Sequence, residues 1–439
     1  MLLYCNTISP RLLYIVDFFS KELFESPISI TTESIVFEQF NGPKLNYSSQ
    51  PLPGESLCIH PTGLLFESGI QPQAIDCFTV NGRTAFFATT GDLPFDIFAA
   101  SFYLLSRYEE YLPHEKDEYG RYAHINSLAF REGFLDQPLV NYWLLYFKEV
   151  LAQKFPGILF RKKNFKCILS YDIDIAWSYL HKGFVRTAGG FARSILQGRW
   201  SEVKDRLDVL RGVKKDPYDC FEWLDALHLY CRLRPYYFFL VARKQVGYDK
   251  NTSTEVKSFR QLIEYYARTY KTGIHPSWQS GDDFDLLREE REWLEVVADT
   301  EIIRSRQHYI RFTLPDTYRK LMKVGIEKDF SMGYGSINGF RASVCSSFAW
   351  YDLEQETATS LLIYPFCFMD ANSFYEQKDS PQVAYAELIR YHEQIRKLNG
   401  MMISIWHNSI LGTDVSFAGW REMFELFMRE TVYWDAYQD

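Results

Sequence analysis

The larger, C-terminal part of the chain predicts an α/β fold, and two observations point to it. From about residue 165, short apolar stretches alternate with helical stretches. Strict alternation of this kind indicates a parallel sheet, either open or closed into a barrel. Polar residues follow several of the apolar stretches, as expected where parallel strands end at one common face. The first 160 residues lack this alternation, and we expect them to form a smaller α+β domain.

Seven stretches are predicted to be strands because they are short, apolar and bounded by polar or turn-forming residues. They lie at 166–173, 235–242, 272–276, 301–306, 329–334, 361–367 and 401–407. Helices are predicted at 217–233, 256–270, 283–299, 315–324, 381–398 and 417–430. We therefore divide the chain into an N-terminal α+β accessory domain, 1–160, and an α/β domain, 161–439.

The N-terminal domain contains one hairpin signal and two helix patterns. Asn81-Gly82 favours a type I′ turn, because both residues tolerate positive φ angles. The run 92–112 predicts a helix capped by Asp92, and residues 138–153 predict a second helix. Residues 113–122 are charged and turn-rich, which indicates an exposed loop. Since its reactive groups show no convergence, we expect this domain to pack against the rest or to shape access to it.

Composition indicates a globular protein that is not secreted. The chain has 439 residues, 47% hydrophobic and 24% charged, which is enough to bury the cores of two domains. The net charge of −8 argues against binding to nucleic acid or to an anionic membrane, since both need a basic face. Eight scattered cysteines without a CxxC pair indicate reduced thiols. With no signal-peptide pattern and no apolar run that could cross a bilayer, we predict a soluble cytoplasmic protein of undetermined oligomeric state.

Polar residues at the predicted strand ends form the candidate site. Asp172 and Asp174 end the first strand at positions i and i+2, which places both on one side of it. The other strand-end residues are His275 on the third strand, Arg306 and His308 on the fourth, Arg341 after the fifth and His407 on the last. Because the carboxyl ends of strands in a parallel barrel share one face, we expect these side chains to meet in one pocket.

These residue types predict metal-assisted hydrolysis of an amide or an ester. A carboxylate together with neutral imidazoles is a ligand set for catalytic zinc, and Asp174 and His275 are the first two ligands in this interpretation. Asp172 lies beside them and is the predicted general base. Arg341 would keep that base ionised and oriented. His407 is the predicted general acid for a leaving amine.

The motifs resemble those of the polysaccharide deacetylases, the NodB-homology family also called carbohydrate esterase family four. Tyr171–Asp174, Gly273–Ser277, Gly339–Ser343 and Ile405–Asn408 stand, in this order, where the family has its aspartate, histidine, arginine and late histidine motifs. The resemblance spans about residues 165–430. The residues before it resemble an accessory domain found before such deacetylases in bacteria.

The resemblance implies a distorted (β/α)7 barrel, in agreement with the seven predicted strands. It implies a metal-dependent deacetylase that removes acetyl groups, N-acetyl in preference to O-acetyl, from a sugar or glycan precursor. The implied metal is Zn2+ or another divalent transition metal such as Co2+ or Ni2+. Carried over by motif, the implied roles are Asp172 as base, Asp174 and His275 as metal ligands, Arg341 as the residue that orients the base, and His407 as acid.

One position departs from the family pattern. The family has a further histidine four residues after the first, and here that residue is Gln279. Either His308 supplies the third metal ligand, or the metal site is weakened or lost. We favour His308, because it ends a predicted strand and its side chain could face inward.

Three tryptophans and one arginine are further candidates. Trp177, Trp278 and Trp406 lie near proposed catalytic groups in the sequence and could stack on a sugar ring, with ordinary packing as the alternative. Arg306 could hold a carboxylate or the acetyl oxygen, and a structural salt bridge explains it equally well.

Two other functions are compatible with the sequence. An apolar strand followed by Asp-x-Asp also describes phosphotransferases, with Asp172 as the nucleophile. Those enzymes usually have Thr or Val two residues after the second aspartate, where this chain has Ala176. The other alternative is a binding or scaffold protein whose deacetylase-like metal site has decayed at Gln279.

Overall fold

The computed structural model describes residues 1–433. In its N-terminal part, four strands form a parallel sheet in the order β2-β1-β3-β4. These strands are β1 (Leu2–Cys5), β2 (Ser29–Thr31), β3 (Lys44–Tyr47) and β4 (Leu57–Cys58). A separate hairpin joins β5 (Phe78–Val80) to β6 (Arg83–Ala85), as predicted from Asn81-Gly82. Both turn residues have positive φ angles, 48° and 72°.

Five helices belong to this part of the chain. They are α1 (Pro10–Leu23), α2 (Ser34–Gln39), α3 (Ile97–Leu105), α4 (Leu128–Arg131) and α5 (Leu139–Lys154). The helix predicted at 92–112 is shorter than expected, because Asp96 and not Asp92 caps it by accepting a hydrogen bond from the Ala99 N–H group. The Asp92 carboxylate instead accepts from the Cys58 N–H group.

Residues 166–407 form a nine-stranded sheet in the order β12-β13-β11-β10-β9-β8-β7-β15-β14. All neighbouring pairs are parallel except the hairpin of β12 and β13. The strands are β7 (Lys166–Ile173), β8 (Tyr236–Leu240), β9 (Lys271–His275), β10 (Arg304–Ser305), β11 (Lys328–Asp329), β12 (Phe348–Asp352), β13 (Thr357–Ile363), β14 (Phe368–Met369) and β15 (Met401–His407). The fold is therefore mixed α/β, and each of the seven predicted strands overlaps a strand of this sheet.

The sheet does not close into the expected seven-stranded barrel within the described residues. Its two edge strands are β12 and β14. The reason is that β13 is hydrogen-bonded to β11 on one side and to the antiparallel β12 on the other, so it has no free edge for β14. The sequence pattern predicted no element between residues 334 and 361, where β12 and the first half of β13 lie, so this hairpin was missed.

The open sheet nevertheless curls strongly. Arg306, directly after β10, donates a hydrogen bond of 2.7 Å to Asp172 at the end of β7, although β8 and β9 lie between these strands. In a flat sheet, three strand spacings would separate them by about 14 Å. The curl therefore brings the carboxyl ends of β7, β9, β10 and β15 close together.

All helices of this part of the chain come after β7. They are α6 (Gly183–Leu196), α7 (Trp200–Leu210), α8 (Phe221–Tyr230), α9 (Lys257–Thr269), α10 (Phe284–Ala298), α11 (Asp316–Lys323), α12 (Pro381–Lys397) and α13 (Trp420–Phe427). Each predicted helix overlaps one of them, and α6 and α7 are additional. None of the helices in residues 1–433 combines the length and the apolar character that crossing a bilayer requires.

Buried contacts join the two parts of the chain. One continuous hydrophobic core contains residues from both sheets. Ion pairs also cross the junction: Arg11 on α1 pairs with Glu356, and Glu110 pairs with Arg341. The predicted boundary at residue 160 falls in the extended segment between α5 and β7.

Candidate metal and catalytic site

The site begins at the carboxyl end of β7. Asp172 is the penultimate residue of this strand, and Asp174 follows it directly. The side chain of Asp172 is 2% exposed, whereas that of Asp174 is 28% exposed. The parallel register of β7 and β15 places His407 beside Asp172. The two aspartates therefore occupy different environments, one inside the curled sheet and one at its mouth.

Asp174, His275 and His308 form a three-residue cluster at this mouth. Their candidate ligand atoms all lie within 4.8 Å of one another. The Nε2 atom of His275 is 3.3 Å from Asp174 Oδ1, and that of His308 is 3.9 Å from Asp174 Oδ2. These are the three residues that the sequence analysis selected as metal ligands, and strands far apart in the chain bring them together.

The second nitrogen of each imidazole is already engaged. His275 Nδ1 lies 2.5 Å from the carbonyl oxygen of Arg306, which can only accept a hydrogen bond, so Nδ1 carries the proton. His308 Nδ1 lies 3.0 Å from Asp249 Oδ1. Both contacts leave Nε2 as the nitrogen directed at Asp174, an arrangement typical of metal-binding histidines.

The cluster fits a divalent transition metal by its chemistry. Buried Asp174 Oδ1 has no hydrogen-bond partner among the described residues, so its lone pairs are available to a cation. Burial raises the pKa of Asp174, but the imidazoles of His308, His275 and His407 outweigh it and hold that pKa well below the ordinary value. An ionised carboxylate and two imidazole Nε2 atoms could hold such a metal with positions left open for other ligands.

Asp249 is a site residue that the sequence analysis missed. It is fully buried and accepts hydrogen bonds from His308 and from the backbone N–H groups of Trp278 and Gln279. The Gln279 side chain also donates to it, at 3.0 Å. Gln279, which stands where the family pattern has a histidine, therefore lies behind His308 and supports the residue that orients it. Asp249 is in a loop, away from any strand end, so no sequence pattern marked it.

The arginine that orients Asp172 is Arg306, and this corrects the assignment of that role to Arg341. Arg306 is fully buried, and its Nη1 and Nη2 groups donate to Asp172 Oδ1 and Ser170 Oγ, each at 2.7 Å. Its guanidinium also lies over the ring of Phe238. Held on both sides, it fixes the Asp172 carboxylate and is not free to contact an acetyl oxygen.

Arg341 lies at the junction with the N-terminal part. Its Nε and Nη2 groups donate to the two carboxylate oxygens of Glu110 at 2.8 and 2.6 Å, and Nη1 donates to the carbonyl of Gly333. Arg107 donates to the same carboxylate at 2.7 Å. Burial raises the pKa of Glu110, but Arg341 and Arg107 outweigh it and lower that pKa to about 2. Because Glu110 occupies its guanidinium, Arg341 does not reach Asp172.

His407 is oriented by Asp370, which the sequence analysis also missed. The Nδ1 atom of His407 lies 2.6 Å from Asp370 Oδ1, and its backbone N–H donates to Asp370 Oδ2 at 2.7 Å. Burial lowers the pKa of His407, but Asp370, Asp174 and Asp172 raise it to about 9. A protonated imidazole in this position has the proton that a general acid needs. Asp370 directly follows the short strand β14, so a correct strand boundary there would have marked it.

The three candidate tryptophans differ in accessibility. Trp406 is fully buried against Phe424 and Phe368, which corrects its assignment to sugar binding. Trp177 is 7% exposed and its ring packs against His181. Only Trp278 of the three is half-buried at the mouth of the site.

Glu290 on α10 supports the loop that follows β9. Its Oε2 accepts a hydrogen bond of 3.0 Å from the Ser277 N–H group, while its buried Oε1 has no partner in residues 1–433. Burial raises the pKa of Glu290 to about 7, against the hydrogen bonds of Ser277, which lower it. This carboxyl group is therefore protonated below neutral pH.

We expect Glu290→Gln to flatten the pH dependence of the unfolding free energy between about pH 4.5 and 7. Because the pKa is raised on folding, the folded protein keeps a proton that the unfolded chain releases in this window. The wild type therefore loses about 3 kcal/mol of stability as the pH rises through it, and the glutamine, which does not titrate, removes that loss. Urea unfolding of both proteins at several pH values measures it; parallel pH profiles would contradict the expectation.

Known proteins resemble the two parts of this chain to different degrees. Residues 1–156 match a family of unknown function, DUF7033. No curated protein matches the chain. Among solved structures, the chain is similar to a protein of Mycobacterium smegmatis assigned as a polysaccharide deacetylase, with 13% identity over 62% of this chain and 85% of that one and a TM-score of 0.39. It is also similar to a polysaccharide deacetylase from Bacillus cereus (10% identity, 61% and 88% covered, TM-score 0.30) and to an allantoinase (11%, 65% and 92%, TM-score 0.38).

These structural likenesses are weak in both identity and TM-score. The fold and the site together define a mixed α/β protein with an Asp-His-His cluster at the carboxyl ends of its strands, flanked by an arginine-held aspartate and an aspartate-held histidine.

Proposed function

We propose that this protein is a metal-dependent hydrolase that removes acetyl groups, N-acetyl in preference to O-acetyl, from a sugar or glycan precursor. One observation carries the proposal: Asp174, His275 and His308 converge with both imidazole Nε2 atoms directed at the carboxylate. The order of the strand-end motifs, which resembles that of polysaccharide deacetylases, supports the acetylated sugar as substrate.

Asp174, His275 and His308 would hold Zn2+ or another divalent transition metal such as Co2+ or Ni2+. Bound there, the ion supplies Lewis acidity, which polarises a carbonyl group and makes water easier to deprotonate. Gln279 stands where the family pattern has a histidine, and this difference suggested a binding or scaffold protein with a decayed metal site. His308 provides a third candidate ligand in its place, which favours a working site.

The chain's own residues divide the proton transfers between them. Asp172 takes the proton of the attacking water, because Arg306 binds one of its oxygens and leaves Oδ2 directed toward the cluster, 3.8 Å from His275 Nε2. His407 gives a proton to the leaving amine from its Nε2 atom, since Asp370 occupies Nδ1. Asp172 and His407 thus divide the work as in other hydrolytic sites, where the surroundings keep one group basic and the other acidic.

The test is acetate release by purified protein reconstituted with Zn2+, Co2+ or Ni2+, with N-acetylated sugar oligomers and a small acetyl ester as substrates. We expect metal-dependent release of acetate from the oligomers, and its loss on chelation. Stoichiometric metal binding without release from any acetylated sugar would contradict the deacetylase assignment. Failure to bind any of the three metals would instead favour the scaffold alternative.

His308→Ala is expected to weaken metal binding at least tenfold, because it removes one of three protein ligands. Metal content after dialysis and a competition titration with a chromogenic chelator measure the change. His60→Ala is the matched control, since His60 bonds to Thr90 in the N-terminal part, outside the cluster, and its loss should leave metal affinity unchanged. Unaltered affinity in His308→Ala would show that another residue completes the site.

A further inference from the structure

Four aromatic side chains form a continuous surface beside the metal cluster, here called the aromatic wall. Its members are Tyr119, Tyr248, Trp278 and Tyr309. Ring centroids are 5.3 Å apart for Tyr119 and Tyr309 and 4.4 Å apart for Tyr248 and Trp278. The Tyr309 ring also lies 4.7 Å from the ring of His308, so the wall begins at a proposed metal ligand.

The aromatic wall is not part of the protein core. Tyr248 is 41% and Tyr309 37% exposed, and Tyr119 and Trp278 are half-buried. Aromatic rings that are held by one another but left open to solvent next to a reactive site offer a flat apolar surface to a ligand. The apolar face of a sugar ring has the size and shape for such a surface.

The N-terminal part of the chain contributes one member of the wall. Tyr119 lies in the loop 113–122, within the residues that match DUF7033. Arg121 in this loop donates to the carbonyl of Tyr309 at 2.9 Å and to Asp117 at 2.6 Å, and its guanidinium lies over the Tyr119 ring. Arg121 also packs directly against the backbone of Gly335. A Cβ atom at this glycine would lie 2.0 Å from Arg121 Nη1, so a larger residue would clash with the arginine.

The backbone that presents Tyr309 adopts an unusual conformation. Tyr309 and Ile310 have φ angles of 58° and 55°, a region that β-branched and bulky residues rarely adopt. Strained backbone of this kind is concentrated at functional sites and persists only where surrounding contacts hold it. The hydrogen bond from Arg121 is one of those contacts, so the N-terminal loop and the wall are coupled.

Charges of both signs lie around the wall. The guanidinium of Arg121 lies 4.6 Å from the centroid of the Tyr119 ring, and that of Arg311 lies 4.3 Å from the centroid of the Trp278 ring. Arg121 pairs with Asp117 and Arg311 with Asp282, so a carboxylate accompanies each of these positive charges. A wall whose charges are paired in this way matches a neutral sugar ring, whose hydroxyl groups can hydrogen-bond to the carboxylates.

We infer that the loop 113–122 of the N-terminal part completes the substrate cleft, with Tyr119 contacting a neutral sugar ring next to the one that bears the reacting acetyl group. This inference rests on the proposed deacetylase function and deepens it. It makes Tyr119 a specificity-determining residue and gives the N-terminal part a direct role in substrate recognition.

The test compares wild type, Tyr119→Ala and Tyr119→Phe, with Tyr248→Ala as a second wall variant at an exposed position. We expect Tyr119→Ala and Tyr248→Ala to raise KM for a tetramer of N-acetylglucosamine about five- to tenfold, because each loses one ring contact. Tyr119→Phe keeps the ring and should stay within twofold of wild type. Tyr265→Ala is the matched control, since Tyr265 is an exposed tyrosine on α9 outside the wall, and it should leave KM for the tetramer within twofold of wild type. Equal KM values for tetramer in wild type and both alanine variants would overturn the inference.

Binding of the tetramer by isothermal titration calorimetry separates this inference from the proposed function. If wild type binds the tetramer without releasing acetate, the deacetylase proposal fails, while weaker binding by Tyr119→Ala than by Tyr119→Phe would still support the wall. If wild type hydrolyses the small ester but the tetramer neither binds nor reacts, the inference fails and the hydrolase stands. Circular dichroism and thermal melting confirm that each variant is folded.

Discussion

Replacing Asp172 with asparagine is expected to lower the rate of acetate release by about 10²- to 10⁴-fold, the usual contribution of a general base. Asparagine has nearly the same shape and can still accept the hydrogen bond from Arg306 at 2.7 Å. It cannot take a proton from water. Because Asp172 is not one of the three clustered ligands, metal content should remain that of wild type.

The measurement is kcat for the N-acetylated tetramer alongside metal content of the same sample. Asp329→Asn is the matched control: it is another fully buried aspartate at the end of a strand of the same sheet, bonded to Ser305 and Ser331 outside the cluster. The control should keep its activity to within a fewfold. If Asp172→Asn kept full activity with metal bound, Asp172 would not be the base and the proton would have to go elsewhere.

Replacing Arg341 with methionine is expected to lower the unfolding free energy by about 3 to 5 kcal/mol, the range for breaking a buried ion pair. Arg341 is 1% exposed, and it binds both oxygens of Glu110 together with the carbonyl of Gly333. Its removal leaves a buried carboxylate with Arg107 as its remaining charged partner. Methionine retains much of the apolar length of the side chain, so the loss reports mainly on charge and hydrogen bonding.

Urea unfolding of the variant measures this change, and Lys214→Met is the control. Lys214 pairs with Asp205 at 2.8 Å on the surface, where both side chains are more than 40% exposed, so its removal should cost less than about 1 kcal/mol. Adding Glu110→Gln to Arg341→Met should recover part of the loss, because Arg107 and Glu109 then remain as a pair without excess negative charge. Similar losses for Arg341→Met and Lys214→Met would show that the buried pair contributes no more than a surface pair.

Site residues that lie at the end of a strand could be predicted from the sequence. Asp172, Asp174, His275 and His407 each lie within one residue of a strand's carboxyl end, and apolar runs identify those strands without knowledge of the fold. The sequence did not reveal which arginine pairs with which carboxylate. Arg306 ends the predicted strand 301–306 and Arg341 comes after the predicted strand 329–334, and nothing in their local sequence says which of them meets Asp172.

Site residues that lie in loops could not be predicted in this way, because no strand pattern precedes them. Asp249 orients His308 from the connection after β8, and Tyr119 reaches the aromatic wall from the N-terminal part. Loops take their course from the elements they connect and from what they pack against, so spacing along the chain does not place their side chains. Asp370 is an intermediate case, because a two-residue strand precedes it and is too short to show a pattern.

By itself, the sequence determined the alternating strands and helices and the reactive residues at the strand ends, because burial and backbone period are local properties that a single chain records. Only the tertiary structure decided that the sheet stays open beside the hairpin of β12 and β13, that Arg306 holds Asp172 while Glu110 holds Arg341, and that an N-terminal loop reaches the site. The physical reason is that curl of the sheet and docking of the N-terminal part set distances between residues more than a hundred positions apart. Those distances follow from the packing of the whole chain.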